Sequence, residues 1–354
     1  METGAYREAY AAHVRRKVLA VVALIVAVGV VALFAIQAGS SGMTLGEVVR
    51  ALAGGGEGAE HLIVWNIRLP RVLAAIVAGA GLSVAGAVMQ GVLRNPLASP
   101  FTLGISQGAA FGAALAIIGF GAGVTGSAAF GIVSISNVWS VAGFAFAGAM
   151  TATLAVVAIS HTRGAAPETM VLAGVALGAL FSAGTTLLQY FAEDTQVAAV
   201  VYWTFGDLGR ASWRDLGLMA ATVVICGAYF VWHRWDYNAL ETGAESAHGL
   251  GVDVGRVRLS GMFVASFVTA VVVAFLGIIG FIGLVGPHLV RRLVGDDHRY
   301  LLPASAAAGA LLLLVADTLG RTLIAPVVLP VGAITSFLGA PLFLYLLVKR
   351  RSPA

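Results

Sequence analysis

Residues 68–92 read RLPRVLAAIVAGAGLSVAGAVMQGV, in which Arg68 and Arg71 bracket Leu69-Pro70 and no charge follows as far as Val92. A transmembrane helix needs about 20 predominantly apolar residues, so this stretch is long enough to span. The spacing predicts that the helix begins at Pro70, because proline lacks the N–H that a first helical turn leaves without a partner. Arginine is misplaced at that end, since the helix macrodipole is positive there and repels it. Arg68 and Arg71 are therefore expected at the water boundary, either as anchors snorkelling to lipid headgroups or free for something acidic.

Composition extends this reading to the whole chain of 354 residues, of which 59% are hydrophobic and 11% charged. Soluble domains carry about 25% charged residues, and the mean hydropathy here is +0.93. The expected class is an all-α polytopic membrane protein without a sizeable soluble domain. Apolar runs predict about ten transmembrane helices, near 18–37, 71–92, 105–122, 138–160, 169–191, 215–233, 259–276, 281–294, 301–319 and 332–348. The eighth is short and broken by Gly280, Gly283 and Gly286. The first follows Arg15-Arg16-Lys17, yet its apolar run exceeds the roughly 7–15 residues of a signal-peptide core, so it reads as a true span. The net charge of +4 comes from bases scattered in short loops, without the basic, aromatic-lined stripe that nucleic acid requires. Cys226 stands alone in an apolar run, which excludes a disulfide framework and a thiol metal site and marks it as a small core residue.

An even number of spans puts both termini on one side. With that side cytoplasmic, fifteen of the Lys and Arg residues fall inside and six outside, the direction of the positive-inside bias. The chain then divides into a cytoplasmic segment 1–17, a membrane domain 18–348 and a cytoplasmic tail 349–354. Arg68, Arg71 and Arg321 lie outside, against the bias. In the outer loop 38–67, Thr44 with Glu47 three residues on forms a capping box and predicts a short helix. The inner loop 234–258 reads as two short surface helices hinged at Gly243, and loops of that length are commonly functional. Asp317, the only acid within a predicted helix apart from Asp215 at the start of one, is expected to pair with Arg321 one turn on. Gly104, Gly108 and Gly112, and likewise Gly174 and Gly178, form small-residue stripes suited to close helix contact.

Lys17 and Lys349 are the only lysines, and neither follows the glycine-rich loop that cradles nucleotide phosphates. The chain is expected to be no enzyme, with ATP hydrolysis left to a partner. A proton-coupled secondary carrier wants ionisable groups deep in the membrane, and a membrane-embedded enzyme wants a polar cluster. Neither is found, and no metal or cofactor is expected on this chain. His298, after Asp296-Asp297, reads as part of a solvated turn. The remaining picture is a pathway without an engine.

Several separated motifs make this picture specific. Arg68-Leu69-Pro70-Arg71, Gly86-Ala87-Val88-Met89-Gln90-Gly91-Val92-Leu93-Arg94-Asn95-Pro96-Leu97-Ala98 and Leu103-Gly104-Ile105-Ser106 stand in the first half. Gly280-Phe281-Ile282-Gly283-Leu284-Val285-Gly286-Pro287-His288 with Arg291, Asp297-His298-Arg299, Ala316-Asp317, Leu329-Pro330-Val331-Gly332 and Leu338-Gly339-Ala340-Pro341 stand in the second. Together they resemble the FecCD family of ABC-importer permeases, which serve iron–siderophore, haem and cobalamin uptake. The resemblance implies a type II importer permease fold of ten helices in the cytoplasmic membrane, working as a homodimer. Its implied partners are two cytoplasmic ATPase subunits, which bind ATP and Mg, and an extracytoplasmic binding protein.

The resemblance also assigns roles. Arg68, Arg71 and Arg321 match docking residues that meet glutamates of the binding protein. Asn95, Pro96 and Leu97, with Pro167 and Glu168, match a cytoplasmic gate. Leu240, Gly243, Glu245, Ala247, Leu250 and Gly251 match the ATPase-coupling loop, where Leu240 and Leu250 are expected as apolar knobs. Ala244 departs from the family pattern, where many relatives carry an acid. The wording from Asn95 to Ser106 is most similar to siderophore permeases, so an iron–siderophore chelate is the expected cargo and haem or cobalamin the alternative. An apolar path suits a bulky chelate better than a bare ion, whose desolvation would be prohibitive.

Overall fold

A computed structural model of the protein describes residues 2–39, 43–55, 58–122, 137–162 and 164–349; residues 350–354 of the tail read as cytoplasmic lie outside the described residues, as does Arg163, one of the fifteen bases counted inside. The helices are α1 (Glu2–Gln37), α2 (Leu45–Leu52), α3 (Ala59–Ile63), α4 (Leu69–Val92), α5 (Ile105–Ala114), α6 (Val138–Thr162), α7 (Pro167–Tyr190) and α8 (Asp194–Thr204). They continue with α9 (Trp213–Trp232), α10 (Arg234–Glu241), α11 (Ala244–Gly249), α12 (Val254–Leu276), α13 (Ile282–Val294), α14 (His298–Thr322) and α15 (Val331–Lys349). Among the described residues, seven helical runs are long and apolar enough to cross a membrane, and Ile105–Gly119 and Val331–Tyr345 form shorter apolar runs. With α13, these account for every apolar segment the sequence predicts. Two features depart from that reading. α1 continues without a break back to Glu2, so residues before Lys17 extend the first helix. α8 was unforeseen because eleven residues cannot span; its signal was the capping box between Glu193 and Gln196.

The second span corrects the starting expectation: its helix does not begin at Pro70. α3 runs through a π-helical turn, Val64–Arg68, directly into α4, giving one helical run over Ala59–Val92. The Leu69 N–H reaches back to the Val64 carbonyl. One extra residue in the turn makes room for Pro70, which has no N–H and whose ring clashes with the carbonyl one α-turn earlier. Arg68 and Arg71 thus sit within a helix, away from any positive helix end.

α4 packs most extensively along α14 and runs antiparallel to it. Gly79 lies against the Gly309 backbone of α14, and Gly86 lies so close to Gly283 of α13 that a Cβ would meet its carbonyl. The predicted stripes also pack: Gly108 and Gly112 of α5 abut Gly148 and Phe144 of α6, and Gly104 abuts Gly174 of α7. Lipid supplies no hydrophobic drive between helices, so such close van der Waals approach holds them together. α13 is short because residues 277–280, with Ile279 fully buried, return from the end of α12 as non-helical backbone. Irregular backbone at membrane depth is tolerated only inside protein.

Arginines cap several helix C-termini, where unpaired carbonyls and the negative dipole end favour cations. Arg258 donates to Val92 O of α4 at 3.2 Å, Arg210 to Tyr202 O of α8 at 2.6 Å, and Arg234 to Val231 O of α9 at 2.6 Å. The bundle thus has an arginine face, where Arg71 meets α14, and a loop face, where α4 ends beside α10 and α11.

Candidate functional site

On the arginine face, Asp317 gathers two of the three predicted docking cations. Arg71 donates through Nε and Nη2 to Asp317 Oδ1 at 2.9 and 2.8 Å, and Arg321 donates through Nε to Asp317 Oδ2 at 3.0 Å. The i,i+4 pair foreseen in the sequence is present, and Arg71 completes it. Asp207, which the sequence did not single out, lies 3.6 Å from Arg71. Arg68, only 6% exposed, donates to the carbonyls of Ile36 and Gln37 at 2.7 and 2.9 Å. Arg321 adds Ala38 O at 2.7 Å and Ala35 O at 2.9 Å. Two arginines therefore satisfy the last carbonyls of α1, which membrane-depth backbone cannot leave unpaired. This corrects the expectation of free cations: within the chain all three already have oxygen partners. Three guanidinium groups against two carboxylates still leave the cluster positive.

The loop face carries the two other predicted groups. Asn95 closes a turn after α4 in which its Oδ1 accepts from the Leu97 N–H at 2.9 Å. Arg94 has φ of 47°, and Leu97 is thrown out to 42% exposure. Pro167 occupies the first turn of α7 with Glu168 exposed beside it, and Arg94 and Glu168 both act electrostatically on Arg258. α10 and α11 are the two expected short helices, and Gly243 between them has φ of 123°, a conformation that strongly favours glycine. Leu240 is fully buried, as is Ala247, so neither is a surface knob. Leu250, 71% exposed, is, and Glu245 and Gly251 are exposed with it.

A latch ties α10 to the start of α14. Asn238 donates to Asp297 Oδ1 at 3.0 Å and accepts from the His298 N–H at 2.8 Å. His298 is fully buried, which corrects the solvated-turn reading; its ring lies 5.5 Å from that of Tyr237. Burial works to raise the Asp297 pKa, but Arg299, its backbone and Asn238 overcome it and hold the carboxyl at about 2. Beside the latch opens a cleft of about 470 Å³ lined by Gln90, Arg94, Pro96, Glu241, Arg291 and Asp296 among others. Arg291 reaches Glu241 at 3.4 Å and also pairs with Asp296. Burial pushes the Glu241 carboxyl above its ordinary range, with Asp296 adding to the rise and Arg291 opposing it.

A family model described as the FecCD transport family matches residues 21–349. A protein named as an ABC transporter permease of Methanocaldococcus jannaschii is 54% identical over 340 residues, 96% of this chain and 97% of its own. A hemin transport system permease of Yersinia pestis is 40% identical over 81% of this chain and 84% of its own. An Fe(3+)-citrate import system permease of Bacillus subtilis is 38% identical over 94% of this chain and 96% of its own. Among solved structures, one described as an inward-facing conformation of a metal-chelate type ABC transporter superposes with a TM-score of 0.80 at 28% identity, covering 93% of this chain and 98% of that one.

Proposed function

Because this chain belongs to the FecCD transport family and is the transmembrane permease subunit of an ABC importer of the metal-chelate type, we propose that it moves an iron–siderophore chelate through the cytoplasmic membrane as a homodimer. The loop face and both termini lie in the cytoplasm, where two ATPase subunits bind ATP and Mg and engage Leu250, Glu245 and Gly251. The binding protein docks on the arginine face. One observation carries this reading: the antiparallel pair α4 and α14 presents a net-positive cluster at one end and a structured helical loop at the other. The positive-inside bias supports the orientation. The cluster attracts acidic groups by its residual charge, which acts over distance and raises encounter rates. Leu97, clear of its own helix, meets its copy across the dimer axis and closes the path by apolar contact.

Reconstitution of the chain with its ATPases and binding protein in vesicles tests the proposal. ATP-dependent uptake of ferric siderophore is expected. Uptake of hemin alone would replace this cargo with the second reading, which the 40% identity to the hemin permease favours. Uptake driven by an ion gradient without the ATPases would overturn the importer assignment. For the gate, Leu97→Cys on a Cys226→Ser background is expected to cross-link between subunits and to change with trapped nucleotide. A complex that assembles normally but never cross-links removes Leu97 from the axis.

A further inference from the structure

A groove of about 380 Å³ opens on the flank of the bundle between α9 and α14. Gly81 and Val84 of α4 and Val268 of α12 form its floor, and Gly227 and Ala306 stand on its walls. The groove is apolar along its length and meets Arg234, His298 and Arg299 at one end. Arg234 opens α10 and Arg299 lies in the first turn of α14, so this end is at the loop face.

The cations there stand among aromatic rings. Arg299 pairs with Asp297 at 2.7 Å and lies 5.0 Å from the Trp235 ring and 5.4 Å from the Tyr300 ring. Lys17 of α1 approaches Tyr300 at 5.4 Å, and Arg234 approaches Trp235 at 5.8 Å. Among the described residues, neither Lys17 nor Arg234 is in an ion pair. Three cations with one paired carboxylate leave the patch positive, at the depth where aromatic side chains mark a membrane interface. Basic pockets between transmembrane helices suit anionic headgroups, and an apolar groove continuing from such a pocket suits a hydrocarbon chain. A small soluble anion would use the charge and leave the groove untouched.

We propose that this groove holds one anionic phospholipid, with its phosphate on Arg234 and an acyl chain laid against α4 between α9 and α14. The lipid bridges the joint between α9 and α10 to the first turn of α14, and so braces the same junction that Asn238 latches from inside.

Native mass spectrometry of the purified chain tests this, with phosphatidylglycerol and phosphatidylcholine of identical acyl chains. One phosphatidylglycerol is expected to stay bound under activation that strips phosphatidylcholine. Arg234→Gln is expected to weaken phosphatidylglycerol about fivefold, the effect of one basic residue near an anionic surface, and to leave phosphatidylcholine unchanged. Gly227→Leu fills the groove without a clash, since a Cβ at Gly227 meets nothing within 4 Å, and is expected to displace both lipids. Gly217→Leu, equally open on the same helix but away from the groove, is expected to bind as wild type. Equal retention of the two lipids by wild type, or undiminished binding by Gly227→Leu, overturns the proposal. Competition by glycerol 3-phosphate as effective as by lipid overturns it too, because the groove would then play no part.

Discussion

The two ends of α14 hold ionic groups under opposite conditions. At the arginine face, Asp317 is 1% exposed and its two arginines converge on it, while α1 carbonyls take up Arg68 and the rest of Arg321. At the loop face, Arg291 divides itself between Glu241 and Asp296 beside an open cleft of about 470 Å³. A buried charge must be paired within the protein, whereas a charge beside open solvent keeps a choice of partner. The contrast teaches that a cluster of arginines at a membrane boundary can be structural and attractive to a partner at once. Its hydrogen bonds serve the fold, and under the docking proposal its residual charge is what a partner would sense.

The largest effect that tests this contrast is expected from Asp317→Ala. It leaves the half-buried Arg71 and Arg321 without their shared, fully buried carboxylate, a loss of about 3–5 kcal/mol, read as unfolding in detergent. Glu241→Gln at the other end is expected to stay within about 1 kcal/mol; equal losses at the two ends would break the comparison.

Arg71→Lys sharpens it, because lysine keeps the charge but loses the two-pronged geometry on Asp317. The expected result is a loss of stability of about 1.5–3 kcal/mol with binding-protein affinity at low salt nearly retained. Affinity falling in step with stability would mean that geometry, not residual charge, does the docking.

Asn238→Ala strips partners from Asp297 and the His298 N–H, with an expected loss of about 1–3 kcal/mol. Faster amide hydrogen exchange is expected in α10 and the first turn of α14, with the Asp317 end unchanged. Exchange rising at both ends together would show that α14 does not isolate them.

The smallest effect is one of pH, and its sign differs between two carboxyls on the loop face. Asp297 is held at about 2, below its ordinary 3.8, so its contribution is full above pH 3.8 and lost as pH falls through about 2. Glu241 is raised above its ordinary 4.5, so its contribution is full below pH 4.5 and lost as pH rises through its shifted value. Melting points of Asp297→Asn and Glu241→Gln against wild type across pH are expected to diverge in opposite directions. A parallel response would refute the assignment of burial as the cause at Glu241.

Much of this was legible beforehand, and the misses share a cause. The capping box of Thr44 and Glu47 is formed, with the Thr44 N–H 2.7 Å from Glu47 Oε2. Cys226 is buried, the glycine stripes pack, and Asp317 pairs with Arg321. These depend on neighbours within a turn or on the chemistry of one side chain. Pro70 misled because a π turn inside a helical run, here Val64–Arg68, leaves no mark in the apolar pattern. Leu240 misled because its amphipathic helix has two sides, and only the fold says which is covered. Asn238 escaped notice because its partners, Asp297 and His298, lie about sixty positions away.

The sequence by itself determined the solvent of this protein and the order of its helices, since both follow from runs of apolar residues and the length needed to cross a bilayer. It also determined where helices can touch, because a glycine at a given position either permits backbone contact or does not. Only the tertiary structure decided what each charge meets. Arg68 and Arg321 cap a helix that ends thirty and more residues away from either, and Arg71 shares a carboxylate across 246 positions. Pairing at such separations is set by the antiparallel packing of α1, α4 and α14, and no local pattern encodes it.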